Sequence, residues 1–175
     1  LSFDDPERFN SMTPQLTDHM RLAMAFLQDS VHHARALLLD GQGKHFCVGA
    51  NHYHEAGVAK LPSLATSTYQ RHEMMRGFFQ MREMHVPLFC AVHGFLQGGA
   101  MSTCFNCDYR VAEMLSTFQH GNLPRGVSPA GGYSTTPFLI LGSTVAHSMY
   151  LCNEVFSAPQ GLSLIHISEP TRRKR

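Results

Sequence analysis

The sequence predicts one α/β domain whose sheet strands run parallel and are joined by crossover helices. Three observations carry this. Short continuous apolar runs of strand length, "RALLLDG" and "VPLFCAV", alternate with stretches whose apolar residues recur at helical spacing. Repetition of strand, crossover helix and strand is the pattern of a parallel sheet with helices packed on it. No internal repeat and no linker divides the 175 residues, a length that fits one domain.

Residues 11–30, "SMTPQLTDHMRLAMAFLQDS", predict an amphipathic helix. Thr13 is its N-cap, Pro14 its first helical residue, and Leu16, Met20, Ala23, Met24 and Leu27 share one face. "RALLLDG" follows and reads as a strand covered on both faces. "GQGKHFCVGAN" is a glycine-punctuated turn into a polar, His-rich stretch, with a loop over 51–66 and a helix over about 67–83. "VPLFCAVHG" predicts a second buried strand, and "GGAMSTCFNC" a helix whose first turn carries the glycines. "DYRVA" predicts a third strand and "STFQHG" a short fourth. After the turn-rich "NLPRGVSPAGG", "YSTTPFLILG" and "STVAHSMYLCNE" predict two short helices parted at Gly142 and Ser143.

Composition narrows the class. Hydrophobic residues make up 43% of the chain, enough for a sizeable core, but charged residues only 15%, against roughly 25% in an average soluble domain. That shortage of polar surface predicts a subunit interface, or a missing piece, that covers the surplus apolar area. The formal charge of +1 comes from the end of the chain. Residues 163–175 hold four of the fourteen Lys and Arg and one of the thirteen Asp and Glu, leaving −2 on the remainder. No basic surface is left for nucleic acid. No apolar run approaches the roughly 20 residues that span a bilayer. Five cysteines, an odd count set in apolar surroundings such as "PLFCAV", predict a soluble protein of a reducing, intracellular compartment. Cys104 and Cys107 form a C-x-x-C with no second pair, so buried helical cysteines are expected rather than a zinc site.

The ends differ from the rest. The chain opens on Leu1 without Met, and "SLIHISEPTRRKR" shares neither pattern nor composition with what precedes it. That tail resembles translated sequencing adapter, so residues 163–175 are expected to be non-native and 1–162 to form the domain, incomplete at both ends.

Five stretches carry a family resemblance: "DDPERFNSMTPQL", "ARALLLDGQGKHFCVGAN", "VPLFCAVHGFLQGGAMSTCFNCDYRVA", "STFQHGNLPRGVSPAGGYSTTPFLILG" and "MYLCNEVFSAPQGL". In that order they are similar to the enoyl-CoA hydratase/isomerase family, the crotonases. "HFCVGAN" and "HGFLQGG" together with "NCDYRVA" are the specific part. The resemblance implies a crotonase-like fold shared with the Clp proteases. It implies lyase or isomerase chemistry on an acyl thioester of coenzyme A, or of the phosphopantetheine of an acyl carrier protein, in fatty acid or polyketide metabolism. It implies no cofactor beyond that thioester, no metal, and a homotrimer or hexamer at full length, built by C-terminal helices.

It also implies a site. Two backbone N–H groups, those of Ala50 and Gly99, hold the thioester oxygen as it becomes an enolate, with Phe46, Gly49, Asn51, His52, Tyr53 and Gly98 lining the substrate. Placement of Gly99 in the first turn of a helix agrees, since N–H groups there lack intrahelical partners and favour negative charge. A glycine lets the substrate oxygen approach without meeting a Cβ. The alternative for Gly98 and Gly99 is close helix–strand packing.

The pattern breaks at the proton-transfer groups. Counted from Gly99 and from Cys107-Asp108, the family's two glutamates fall on Ser102 and Asn122, whose side chains do not titrate near neutral pH. Ordinary hydration is therefore not expected, leaving isomerisation, decarboxylation or atypical hydration/dehydration, as in polyketide β-branching enzymes that lack both glutamates. His120 is the candidate acid/base, with a turn-capping hydrogen bond as its structural alternative. His52, Tyr53 and His54 are candidates for the roof of the acyl pocket, for a solvated loop or, as His-x-His, for metal ligands. Ser102 with His120 is a candidate nucleophile–base pair without a third member. Asp108 is expected to be structural, Arg110 and Arg125 to form surface salt bridges, with substrate phosphates as the alternative partners, and Phe138 to Leu141 to expose apolar surface where the C-terminal helices are missing. The alternative function is a catalytically inactive crotonase-like protein that binds acyl-CoA or serves assembly.

Overall fold

The computed structural model describes residues 1–30, 34–50, 76–129 and 132–164. Asn51, His52, Tyr53, His54, the loop over 51–66 and the start of the helix over 67–83 lie outside them.

The predicted α/β architecture is present, but it holds two sheets rather than one. Strands β1 (Ser2–Phe3), β2 (Leu37–Gly41), β3 (Leu88–Val92) and β5 (Tyr109–Ala112) form a parallel sheet in that order. Strands β4 (Phe95–Gln97), β6 (Thr117–Gln119) and β7 (Val155–Ser157) form a second sheet, β4 parallel to β6 and β6 antiparallel to β7. The helices are α1 (Pro14–Ser30), α2 (residues 76–82), α3 (Gly99–Phe105), α4 (Thr136–Leu141), α5 (Ser143–Leu151) and α6 (Ala158–Leu164).

Helix α1 starts where its cap predicts: Thr13 Oγ1 accepts the Leu16 N–H at 3.1 Å. Its face carries Met20 and Met24 into the core, and α2 approaches closely because Gly77 presents no side chain to Met20 and the Arg21 backbone. In the parallel sheet, Leu37, Leu39, Leu88, Cys90 and Val92 point into that same core.

The expectation that β2 is covered on both faces is corrected. Leu38 is 51% exposed, and Tyr109 and Val111 on β5 are exposed as well. A continuous apolar run lacks the alternation that would have distinguished one covered face from two. Phe89 and Tyr109 stack on this open face with centroids 4.8 Å apart, covering part of each other.

The chain leaves β3 at His93-Gly94 and enters β4 at once, so α3 follows β4 rather than β3. Asp108 plays the structural part expected of it, its carboxylate accepting the Leu88 N–H at 2.8 Å and its N–H donating to Leu88 O at 2.9 Å. Cys104 and Cys107 are buried free thiols, Cys107 lying two residues past the end of α3. Among the described residues neither Arg110 nor Arg125 has a salt-bridge partner. Arg110 donates to the carbonyls of Cys104 and Cys107, and Arg125 to that of Gly121, because unpaired carbonyls at chain reversals need donors. Of the α4 apolar run, Leu139 is exposed and Leu141 is buried. Among the described residues no helix is long and apolar enough to cross a membrane.

Candidate active site

Three chain segments lie side by side at one end of the second sheet. Residues 46–50 run between residues 9–12 and β4. Phe46 N–H donates to His93 O at 3.0 Å, and Cys47 forms a parallel bridge with Leu96. On the other side, Val48 N–H donates to Phe9 O at 3.3 Å and Gly49 O accepts the Met12 N–H at 2.7 Å. Phe46 and Cys47 are fully buried and anchor the segment.

Three residues beyond the Cys47–Leu96 bridge stand Ala50 on one segment and Gly99, the first residue of α3, on the other. Neither N–H is used by the protein among the described residues. Gly49 holds the segments this close. At φ +90° it points its Hα at Gln97 O, where a Cβ would collide, and that Cβ position is only 3.6 Å from the Gly99 nitrogen.

A Cβ on Gly99 would stand 2.5 Å from Met12 Sδ, so a side chain there would have to push that thioether aside. Gly98 adopts φ +54° and ψ −115°, a conformation that L side chains rarely take. Its N–H donates to His120 O at 3.1 Å and its O accepts the Ser102 N–H at 3.1 Å. Gly98 thus ties β6 to the first turn of α3, leaving the N–H of Gly99 as the free donor between them. Met12 precedes the α1 cap and carries no signal in sequence that it packs here.

Around this point the side chains are neutral. Asn122 sits beside Gly98, its Oδ1 3.4 Å from where a Cβ would be. Ser102, one helical turn past Gly99, is 2% exposed and its Oγ has no partner among the described residues. His120 is 3% exposed, its ring stacked on Tyr133 at 4.2 Å and tilted against Tyr150 at 4.7 Å. Among the described residues His120 Nδ1 and the Tyr133 hydroxyl also lack partners, and leaving such groups unpaired costs about 1–3 kcal/mol each. Tyr133, which the sequence places at the start of a helix and sequence reasoning passed over as a site residue, stands before α4 and is part of the same cluster. The backbone carbonyl of His120 accepts the Gly98 N–H.

Burial pushes the His120 imidazole down to about 4, so it is neutral at pH 7 and able to accept a proton but not to store one. The folded value lies below the unfolded 6.5, so the unfolded chain binds the extra proton between them. Stability is therefore whole above pH 6.5 and falls as pH drops toward 4. Urea unfolding at pH 7 and pH 4.5 is expected to show a loss of about 2 kcal/mol that His120→Gln abolishes. An equal loss in both proteins would refute this account of His120.

The fold and the paired loops define the class. The chain has the crotonase-like α/β fold. It superposes on the crystal structure titled "putative enoyl-CoA hydratase" from Streptomyces coelicolor A3(2) with TM-score 0.88 at 23% identity, covering 96% of this chain and 61% of that one. On an enoyl-CoA hydratase from Bacillus anthracis the TM-score is 0.85 at 18% identity, covering 94% and 62%. The chain belongs to the enoyl-CoA hydratase/isomerase family, whose sequence profile matches residues 1–163. A Mycobacterium tuberculosis protein named "Probable enoyl-CoA hydratase EchA12" is 26% identical over 164 residues, 91% of this chain and 57% of that protein. The chain thus spans about three-fifths of the length of the relatives it matches.

Proposed function

We propose that this chain binds an acyl group as its thioester, of coenzyme A or of a carrier-protein phosphopantetheine, and stabilises the enolate of that thioester with the N–H groups of Ala50 and Gly99. The observation that supports the reading is the close approach of the two segments, the Cβ position of Gly49, next to Ala50, lying 3.6 Å from the Gly99 nitrogen. Donors held in place before charge develops need no reorganisation, and one such donor is worth roughly 2.7–4 kcal/mol of barrier. No cofactor beyond the thioester itself is required for this step. His120 takes the proton from the carbon next to the thioester carbonyl, because the side chains at the family's glutamate positions, Ser102 and Asn122, do not titrate near neutral pH. The reaction class is isomerisation, decarboxylation or atypical hydration/dehydration.

A second reading, a binding protein without turnover, is favoured by the low proton affinity of the buried His120. Deuterium exchange separates the two. The chain incubated with butyryl-CoA in D2O is expected to incorporate deuterium next to the thioester, measured by mass spectrometry, and His120→Ala to lose at least about 90% of that rate, within the range for a general base. Binding of butyryl-CoA without exchange would establish the second reading instead.

A further inference from the structure

The turn that carries His120 and Asn122 is anchored by a residue some thirty positions further along the chain. Asn153 lies between α5 and β7. Its Oδ1 accepts the Gly121 N–H at 2.9 Å, and its carbonyl accepts Gln119 Nε2 at 3.0 Å. Gln119 Oε1 also accepts Gln97 Nε2, and the Gln97 carbonyl is the group that crowds Gly49. Gly121, at φ +74°, has no room for a side chain, because a Cβ there would stand 2.3 Å from Gln97 Cγ. The turn is thus wedged between Gln97 and Asn153, with the His120 carbonyl bonded to Gly98 and Asn122 beside it.

The backbone at position 153 does not itself favour asparagine over glycine. Its φ is +51°, a value that glycine adopts freely and asparagine tolerates. What glycine lacks is an acceptor. The side-chain atom that meets a backbone N–H must be an oxygen, so the asparagine contributes its bond to Gly121, the residue between His120 and Asn122.

We propose that Asn153 is a positioning residue: through Gly121 it fixes the 120–122 turn, and with it the His120 ring against Tyr133 and Tyr150. For proton transfer this rests on His120 acting as the base in the reading above. Displacing a reacting group by about 1 Å costs roughly a hundredfold in rate, so a single anchoring bond matters.

Asn153→Gly and Asn153→Asp test it. The glycine variant relieves the positive φ while removing the acceptor, so its urea midpoint is expected to stay close to that of the wild-type chain. It is expected to bind butyryl-CoA within about threefold of wild type but to exchange deuterium at least about tenfold more slowly. Asn153→Asp keeps an acceptor toward Gly121 and is expected to restore most of the rate. NMR without any thioester gives a second readout. In Asn153→Gly the Gly121 amide is expected to exchange with solvent at least about fivefold faster, the worth of one hydrogen bond. The His120 ring protons, which lie against Tyr133 at a 4.2 Å centroid separation, should shift toward their values in the unfolded chain. A wild-type rate in Asn153→Gly, an equal slowing in Asn153→Asp, a slowing matched by a fall in urea midpoint, or unmoved His120 signals would overturn the role of Asn153. A wild-type chain that exchanges no deuterium would overturn His120 as the base, and the NMR shifts would then decide Asn153 by themselves.

Discussion

Gly49→Ala is expected to cost about 3 kcal/mol or more of folding stability, the sum of a Cβ at positive φ and a collision that cannot relax. The φ of +90° already disfavours any L side chain. The added methyl would run into Gln97 O, which is main chain rather than the movable end of a side chain. Gln97 is fixed in turn by the β4–β6 ladder, in which it pairs with Gln119. Relief therefore requires the 46–50 segment to move away from β4, which separates Ala50 from Gly99. Loss of butyryl-CoA binding should accompany the loss of stability. Gly126→Ala provides the comparison, since that glycine also has positive φ, +63°, but nothing within 4 Å of its Cβ position. Urea unfolding should give it only the backbone cost, about 1–2 kcal/mol. Equal losses in the two variants would show that the contact with Gln97 does not govern the site.

Asn10→Ala is expected to cost about 3–5 kcal/mol, because it strands three backbone groups in the interior. Asn10 is fully buried. Its Oδ1 accepts the Asp5 N–H at 2.8 Å, and its Nδ2 donates to Gln42 O at 2.8 Å and His45 O at 2.9 Å. The amide is thus the clasp between the loop before α1 and the turn that leads into residues 46–50. Its φ of +53° is one that Asn tolerates better than Ala. Asn10→Asp is the sharper probe: a carboxylate can still accept from Asp5 but faces the Gln42 and His45 carbonyls with no donor, so it too is expected to unfold at lower urea. A loss below about 1 kcal/mol in both variants would mean that water replaces the clasp at little cost.

Legibility in sequence followed the range of the cause. Helix α1 was readable because its cap, its proline and its apolar face lie within one stretch, and the structure keeps all three. Strands β2, β3 and β5 were readable as strand-length runs bounded by turn residues. The second sheet was not: β4 and β7 have three residues each, too few to display a period, and only pairing with β6 makes them strands. Similarly, "HFCVGAN" and "HGFLQGG" marked the two loops as a pair, yet the segment that flanks the first of them on its other side, through Phe9 and Met12, comes from elsewhere in the chain.

By itself the sequence determined the longer elements, the family and the two glycine turns, since propensity, capping and motif spacing act between near neighbours in the chain. Tertiary structure alone decided that Met12 is what crowds Gly99, that His120 stays unprotonated and that Tyr133 joins it. Steric exclusion and desolvation depend on which atoms surround a group in space, and those atoms come from residues far apart along the chain.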